Sequence, residues 1–274
     1  MSQPLVSVCI PTYNNADYIE ETIQCVINQT YQNIELIVVD DKSKDETVEI
    51  IQSIKDNRIK LYINEKNLGM SGNWNRCMEL CTGEYIKLIC ADDLIHKELI
   101  QREVEAMEQH PEVLLVETDT QFVDKYGKAK GYYRRYRKSG VVDGKEISKV
   151  CVRTRDQFGA PLANLVRRSA YEQSGGFDSS FVYIIDYDFF MTIANKGKVY
   201  IIHEPLNYFR IRYDSNTGQV MGGGKEEEYI AEHRRLFEKH ADNLGMSQQQ
   251  VDFCVNIRKM MSFLGNIYLK IFAR

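Results

Sequence analysis

Two adjacent acidic pairs, Asp40-Asp41 and Asp92-Asp93, each follow a short apolar stretch, 34–39 and 85–90. Carboxylates crowded together are costly unless positive charge arrives beside them. A divalent cation carrying a nucleotide diphosphate meets that need, because hard oxygen ligands bind the metal and the metal binds phosphate oxygens. In such an arrangement Asp92 and Asp93 are the metal candidates. Asp40 or Asp41 would accept hydrogen bonds from a base or ribose, and Tyr13 would stack on the base. The simpler assignment for one such pair is a cap on the following helix, favoured by the helix dipole. Two pairs together with the Asn-rich loop 64–67 favour a site.

These groups act together only if the fold gathers them. Val6-Ser7-Val8-Cys9-Ile10 is a β-branched run stopped by Pro11, and it reads as a strand. Residues 17–29 carry Ile19, Ile23, Val26 and Ile27 on one helical face. The stretch 34–39 reads as a continuous apolar strand covered on both faces. Residues 45–55 form a second helix with Val48, Ile51 and Ile54 inward, capped within Lys42-Ser43-Lys44. Strand 59–63, helix 71–81 and strand 85–90 continue the alternation. This pattern predicts an α/β fold, with a mainly parallel central sheet flanked by helices and joined by right-handed crossovers. Ligands of such sheets bind beyond the carboxyl ends of the strands. Pro11-Thr12-Tyr13-Asn14, Asp40-Asp41, 64–67 and Asp92-Asp93 all fall at that edge.

Past residue 94 the pattern loosens. A helix is expected at 96–109, a strand at 113–116, a long excursion at 121–142, a helix at 187–195 ended by Gly197, and a strand at 199–203. Gly222-Gly223-Gly224 reads as a hinge or loop, followed by helices at 225–239 and 247–272. The chain length of 274 residues suits one or two domains, and a 43% hydrophobic share is too high for disorder. A net charge of −4 argues against a nucleic-acid partner, since phosphate contacts demand a basic surface. No apolar run reaches the ~18 residues of a membrane-spanning helix, and the start MSQPLVSVCIP lacks the features of a signal peptide. Seven cysteines, an odd number with no Cys-x-x-Cys pair, read as reduced buried thiols and not as zinc ligands. The expected compartment is the cytoplasm. The absence of GxGxxG after the first strand, of GxxxxGK[ST] and of GxSxG disfavours a nicotinamide dehydrogenase, a P-loop nucleotidase and a serine hydrolase.

At these residues the chain resembles an inverting family 2 glycosyltransferase of the GT-A fold, of the bacterial surface-polysaccharide type. The matching segments are Val6 to Asn14 around Pro11-Thr12-Tyr13, then Glu35-Leu36-Ile37-Val38-Val39-Asp40-Asp41 with Lys42-Ser43-Lys44-Asp45. They continue with Asn67-Leu68-Gly69 and Asn75, Gly83-Glu84-Tyr85-Ile86 leading to Asp92-Asp93, and Gly175-Gly176-Phe177-Asp178 ahead of Asp186-Tyr187-Asp188-Phe189. The ordered string is specific although each motif alone is weak. It implies a GT-A domain over 1–217 and a helical C-terminal extension over 218–274. It also implies a donor nucleotide diphosphate sugar, a UDP-sugar, held by Pro11, Thr12, Tyr13, Asn14, Asp40 and Asp41. Asn67, Gly69 and Asn75 would shape the loop beside the sugar diphosphate. Asp92 corresponds to the last Asp of an Asp-x-Asp metal motif, with Asp93 beside it, for Mn or Mg. Asp186 falls on the catalytic base, which deprotonates an acceptor hydroxyl as it attacks the anomeric carbon. The acceptor would be a saccharide or a lipid-linked sugar.

Four positions depart from the family pattern. Cys90 replaces the first Asp of Asp-x-Asp, Ile185 replaces an acidic residue before the base, and Trp74 replaces a frequent Arg before Asn75. Arg212, within Tyr208 to Ser215, stands where a His often joins the metal or diphosphate. Arginine ligates no metal but pairs bidentately with phosphate, so Arg212 is expected to join the donor site and offset weaker metal coordination. The losses at Cys90 and Ile185 keep a non-catalytic sugar-nucleotide-binding relative as the alternative. A nucleotidyltransferase is a more distant one, because Pro11-Thr12-Tyr13-Asn14 is no basic triphosphate loop.

Other features carry less. His203 reads as a structural strand-end residue, the histidines at 96, 110, 233 and 240 as scattered, and Trp74, Met78 and Cys81 as core. The run Tyr132-Tyr133-Arg134-Arg135-Tyr136-Arg137-Lys138 reads as a solvated loop, with contact to the phosphate of a lipid-linked sugar or to an anionic membrane surface as the functional alternative, and RNA stacking disfavoured by the overall charge. The apolar stretch 260–274 would dock on the domain, on a second copy in a homo-oligomer, or peripherally on a membrane.

Overall fold

The computed structural model describes residues 3–212 and 225–272, with side chains as far as 262. The glycine hinge at 222–224 and the boundary at 217/218 lie outside the described residues, as do the side chains beyond 262 in the apolar stretch 260–274. Strands β1 (Val6–Thr12), β2 (Ile34–Asp40), β3 (Ile59–Ile63) and β4 (Tyr85–Leu88) lie in the order β3-β2-β1-β4, and all three pairings are parallel. Helices α1 (Ile19–Ile27), α2 (Thr47–Ser53) and α3 (Gly69–Leu80) fill the crossovers. The register pairs Thr12 with Asp40, so β1 and β2 end side by side. Every residue of both strands is buried. Cys9, Ile37 and Val39 face one core, while Val8, Ile10, Leu36 and Val38 face the other, as the two-residue period requires.

β2 is not continuously apolar. Glu35 is buried, and its carboxylate accepts the Ser7 hydroxyl at 2.5 Å, the Thr82 N–H at 2.7 Å and Lys60 Nζ at 2.7 Å. Burial pushes its pKa up, but Lys60, Ser7 and Thr82 bring it down to about 2. These bonds tie β1 and β2 to the turn before β4.

Beyond β4 the sheet is mixed. It adds β5 (Leu94–Ile95), β6 (Val113–Val123), β7 (Ala129–Tyr133), β8 (Gly140–Asp143), β9 (Asn164–Arg167) and β10 (Lys198–Arg210). β9 runs antiparallel between β4 and β6, whereas β10 lies parallel to β6 and antiparallel to β5. The expected strands at 113–116 and 199–203 are much longer than their apolar runs. Thr118, Asp119, Thr120 and Asn207 interrupt the pattern but are buried, and they bond to one another and to Arg135. Asn207 Nδ2 donates to Thr118 Oγ1 at 2.8 Å and to the Asp119 carbonyl at 2.9 Å. The excursion at 121–142 contains β7, a hairpin partner of β6, and β8, which pairs with β10.

Helices α4 (Leu99–Gln109), α5 (Gly144–Arg153), α6 (Arg168–Ser174), α7 (Ile185–Ala194), α8 (Glu226–Leu244) and α9 (Gln248–Phe272) complete the chain. α1, α2 and α4 cover one face of the sheet and α3, α5 and α7 the other. Leu236 and Phe237 of α8 and Val251 and Val255 of α9 enter the same core as α7. Among the described residues no helix is long and apolar enough to cross a membrane. Met260 and Met261 are exposed. All seven cysteines are free thiols.

Helix α7 carries Asp186, and its far end is set by a close backbone approach. A Cβ at Gly144 would lie 1.9 Å from the Ala194 carbonyl oxygen. Gly144→Ala must therefore push α5 from α7, at a cost of about 1–3 kcal/mol of stability. The urea unfolding midpoint measures this, and an unchanged midpoint contradicts the contact.

Candidate functional site

The carboxyl ends of β1, β2 and β4 open into a cavity of about 500 Å³. Its lining includes Pro11, Thr12, Tyr13, Asn14, Asp41, Asn67, Gly69, Asp92, Asp93, Asp186 and Arg212. Most of the expected site residues thus meet on one sheet edge.

The loops at this edge are held by side chains bonding backbone. Asp41 is buried, and its Oδ1 accepts the Leu68 N–H and Asn64 Nδ2, both at 2.8 Å, while its Oδ2 accepts the Gly69 N–H at 2.9 Å. This carboxylate pins the 64–69 loop against β2. Gly69 sits at φ +74, a left-handed conformation that favours glycine, and its N–H also meets Asn67 Oδ1 at 3.0 Å. Asn14, at φ 51, donates its N–H to Ser43 Oγ at 2.9 Å and accepts the Lys44 N–H at 2.8 Å. Tyr13 is exposed at the rim, free to stack.

Two expected donor contacts lie elsewhere. Asp40 is fully buried and does not line the cavity, because its carboxylate accepts the Ser43 N–H at 2.9 Å and the Ser43 hydroxyl. It shapes the turn after β2. Asn75 also lies off the cavity lining. Its amide clamps Phe177, donating to the carbonyl at 2.9 Å and accepting the N–H at 2.8 Å. It positions the Gly175-Gly176-Phe177-Asp178 turn.

The pair Asp92-Asp93 is split in depth. Asp92 reaches the cavity wall, with Oδ2 3.1 Å from Arg212 Nη1. Asp93 is 2% exposed; its Oδ1 accepts the Arg210 N–H at 2.9 Å and its Oδ2 has no partner. Arg210, also buried, donates to the Asp92 carbonyl at 2.8 Å, the Lys125 carbonyl at 2.7 Å and Glu21 Oε2 at 2.7 Å. It clamps the acidic turn from the end of β10. Burial pushes the Asp92 carboxyl up against the pull of Arg212 and Arg210. Burial and then the charge of Asp92 push Asp93 well above the usual carboxylate range. Two carboxyls here cannot both hold their charge without further positive charge.

Cys90 also lines the cavity, and burial keeps its thiol protonated. Among the described residues no three His, Cys, Asp or Glu side chains converge on one point. A metal enclosed wholly by protein does not fit. A hard cation held by one or two carboxylates and the oxygens of a bound diphosphate does fit, and the unpartnered Asp93 Oδ2 behind Asp92 marks where charge is lacking.

Asp186 opens α7 and lines the same cavity. Its Oδ1 accepts the Tyr187 N–H at 2.8 Å, and no other hydrogen bond reaches it among the described residues. Burial first, then the charge of Asp156, raises its pKa to about 7. The turn before it is fixed from α8. Glu232 accepts the N–H groups of Val182 at 2.8 Å, Tyr183 at 2.9 Å and Ile184 at 3.3 Å. Buried Asp188 accepts Lys239 Nζ at 2.8 Å and pairs with His240 Nε2 at 3.1 Å, while His240 Nδ1 meets Asn195 at 3.2 Å.

Arg210, Glu232, Lys239 and His240 were not singled out as site residues by the sequence. The one available signal is phase: Glu232, His233 and His240 share the buried stripe of α8 with Leu236 and Phe237, where charge needs a partner. His240 is therefore not scattered. His203 is structural as expected, its Nδ1 3.3 Å from Asp119. Trp74, Met78 and Cys81 are in the core, although Trp74 also touches the cavity.

Comparison with known proteins places this geometry. A family model described as glycosyl transferase family 2 matches residues 7–174. Chondroitin synthase of Escherichia coli is 27% identical over 221 residues, covering 78% of this chain and 30% of that protein. The crystal structure of S. aureus TarS 1–349 in complex with UDP-GlcNAc superposes with a TM-score of 0.74 at 19% identity, over 98% of this chain and 76% of that one. The mannosyltransferase PcManGT from Pyrobaculum calidifontis, in complex with GDP-Man and Mn2+, gives a TM-score of 0.63 at 17% identity, over 99% and 76%. Likeness at such identity speaks for a shared fold.

The raised pKa of Asp186 has a stability consequence. Its folded pKa of about 7 exceeds the unfolded value, so ionisation opposes folding fully above about pH 7, and this penalty shrinks as pH falls toward the unfolded pKa. Asp186→Asn is expected to melt higher than the wild type at about pH 8, with the gap narrowing through about pH 5. A constant gap across that range contradicts the assignment.

Proposed function

The chain belongs to glycosyl transferase family 2, and from that premise we propose that it moves a sugar from a UDP-sugar to an acceptor hydroxyl with inversion. The setting we propose is the synthesis of a bacterial surface polysaccharide or glycolipid; a chondroitin synthase among its relatives supports that setting. The observation that carries the reading is that the base and the donor-side groups share one cavity. Asp186, raised to about 7, faces the same cavity as Asp92, Arg212 and the Tyr13 edge.

In this reading Tyr13 stacks on the base, and the loop pinned by Asp41 closes over the ribose and diphosphate through Asn67 and Gly69. Asp92 would hold a divalent metal, with Asp93 as a second negative charge behind it, and such a metal would supply positive charge against the leaving diphosphate. Arg212, resting on Asp92 at 3.1 Å and over the Tyr18 ring at 4.7 Å, turns its guanidinium to the phosphate oxygens when the donor arrives. Asp186 takes the acceptor proton as that oxygen attacks the anomeric carbon from the face opposite the diphosphate, which inverts the centre. A pKa near 7 makes it a better base at neutral pH than an ordinary carboxylate. Residues 1–217 form the catalytic domain in this account, and 218–274 the extension whose Glu232 fixes the turn before the base.

Incubation with radiolabelled UDP-sugars, Mn²⁺ and a mixed saccharide acceptor pool tests this. Wild type is expected to form product, and Asp186→Asn to lose at least about 100-fold in rate while UDP still raises its melting temperature. UDP binding without transfer by the wild type from any donor would favour a non-catalytic sugar-nucleotide-binding relative. The pH profile of kcat/KM should rise with one proton through about 7 and then level, since Asp186 accepts a proton only when ionised. For Arg212→Ala, activity should fall and become more sensitive to chelator; unchanged activity and metal dependence would remove Arg212 from the site.

A further inference from the structure

A second concavity of about 520 Å³ lies where the turn after β7 meets the end of α5. Arg134, Arg135, Arg137 and Arg155 line it with Tyr136, and no carboxylate does. Arg134, Arg137 and Arg155 are exposed, and among the described residues none of them forms an ion pair. Lys138 on the same turn does, with Glu146 at 2.8 Å. The nearby acids are turned elsewhere: Asp156 accepts the Phe158 N–H at 2.9 Å and the Gly159 N–H at 2.8 Å, and Asp119 accepts the Arg135 N–H at 2.8 Å. Arg155 stacks on Tyr133 at 4.4 Å, and Arg135 lies over the same ring at 4.8 Å. Stacking orders a guanidinium while leaving its edge N–H donors for an anion.

Along the chain only Phe158 and Gly159 separate this groove from the catalytic cavity. Gln157 lines the groove, and Ala160 and Pro161 line the cavity. Three extended residues span at most about 11 Å, so one bound chain can touch both. The segment between them is firm. Arg135 fills the space over Gly159, where a Cβ would lie 2.0 Å from Nη1, and its Nε donates to the Thr118 carbonyl at 3.2 Å. A flat lipid surface would be met by a convex basic face; a concave one suits a single chain.

We infer that this groove binds a phosphate group of the acceptor, which is therefore a phosphate-bearing chain whose hydroxyl reaches Asp186 while its phosphate sits on Arg134, Arg137 and Arg155. The inference rests on the reading of the chain as a sugar transferase, and the test separates the two. Inorganic tripolyphosphate is titrated into the full chain in metal-free buffer, with and without excess UDP. The wild type, the triple variant Arg134→Ala/Arg137→Ala/Arg155→Ala and the triple Lys counterpart are compared, with melting temperature as the folding check. Wild type should bind with UDP present, the Ala variant at least about tenfold more weakly, and the Lys variant in between. Displacement by UDP, or equal binding by the Ala variant, overturns the groove and leaves the donor reading standing. Binding to phosphatidylglycerol vesicles but not to tripolyphosphate overturns it in favour of a membrane contact. Tripolyphosphate bound at the groove by a chain whose melting temperature is not raised by UDP with Mn²⁺, measured separately, overturns the transferase reading, and the acceptor role with it.

Discussion

Uncompensated negative charge at the carboxyl edge of the sheet is the constraint around which the rest of the molecule is arranged. Asp92, Asp93 and Asp186 sit in or beside one cavity, and burial raises all three pKa values. Such groups persist only where surrounding structure over-determines them. Arg210 supplies that for Asp92 and Asp93, tying their turn to α1 and to the connection after β6. Glu232 supplies it for Asp186, by capturing three successive N–H groups ahead of α7. Arg212 then sits beside Asp92 at the cavity wall.

The parallel half of the sheet was legible because apolar runs stop at Pro11, Asp40 and the acidic turn at Asp92, close to where β1, β2 and β4 end at Thr12, Asp40 and Leu88. The mixed half was less so. β6 and β10 run on through Thr118, Asp119 and Asn207, whose polar groups bond to one another, so the pattern breaks where the strand does not. Buried Glu35 inside β2 is a case of the same kind, satisfied by Ser7, Thr82 and Lys60 from three other elements.

The site shows the same division. Tyr13, Asn67, Gly69, Asp92 and Asp186 follow from strand ends and motif order, and they do meet. Asp40 and Asn75 do not, because local turn geometry gives Asp40 to Ser43, and tertiary contact gives Asn75 to Phe177. Glu232 and Arg210 act on backbone far away in sequence, which no spacing rule anticipates. Helix α8 is accordingly more than a cover for the core, since its charged residues hold the turn and helix that carry Asp186.

The central claim is that the acidic edge is short of positive charge until metal and diphosphate arrive together. Calorimetry of UDP-GlcNAc with Mn²⁺ near neutral pH, in buffers of different ionisation enthalpy, tests it directly. The diphosphate diester has no proton of its own to lose there, so any proton exchanged comes from the protein. The account predicts net proton release on binding, reduced in Asp92→Asn, because the cation drives the raised carboxyls to ionise. Binding with no proton exchange, or with uptake, would contradict it.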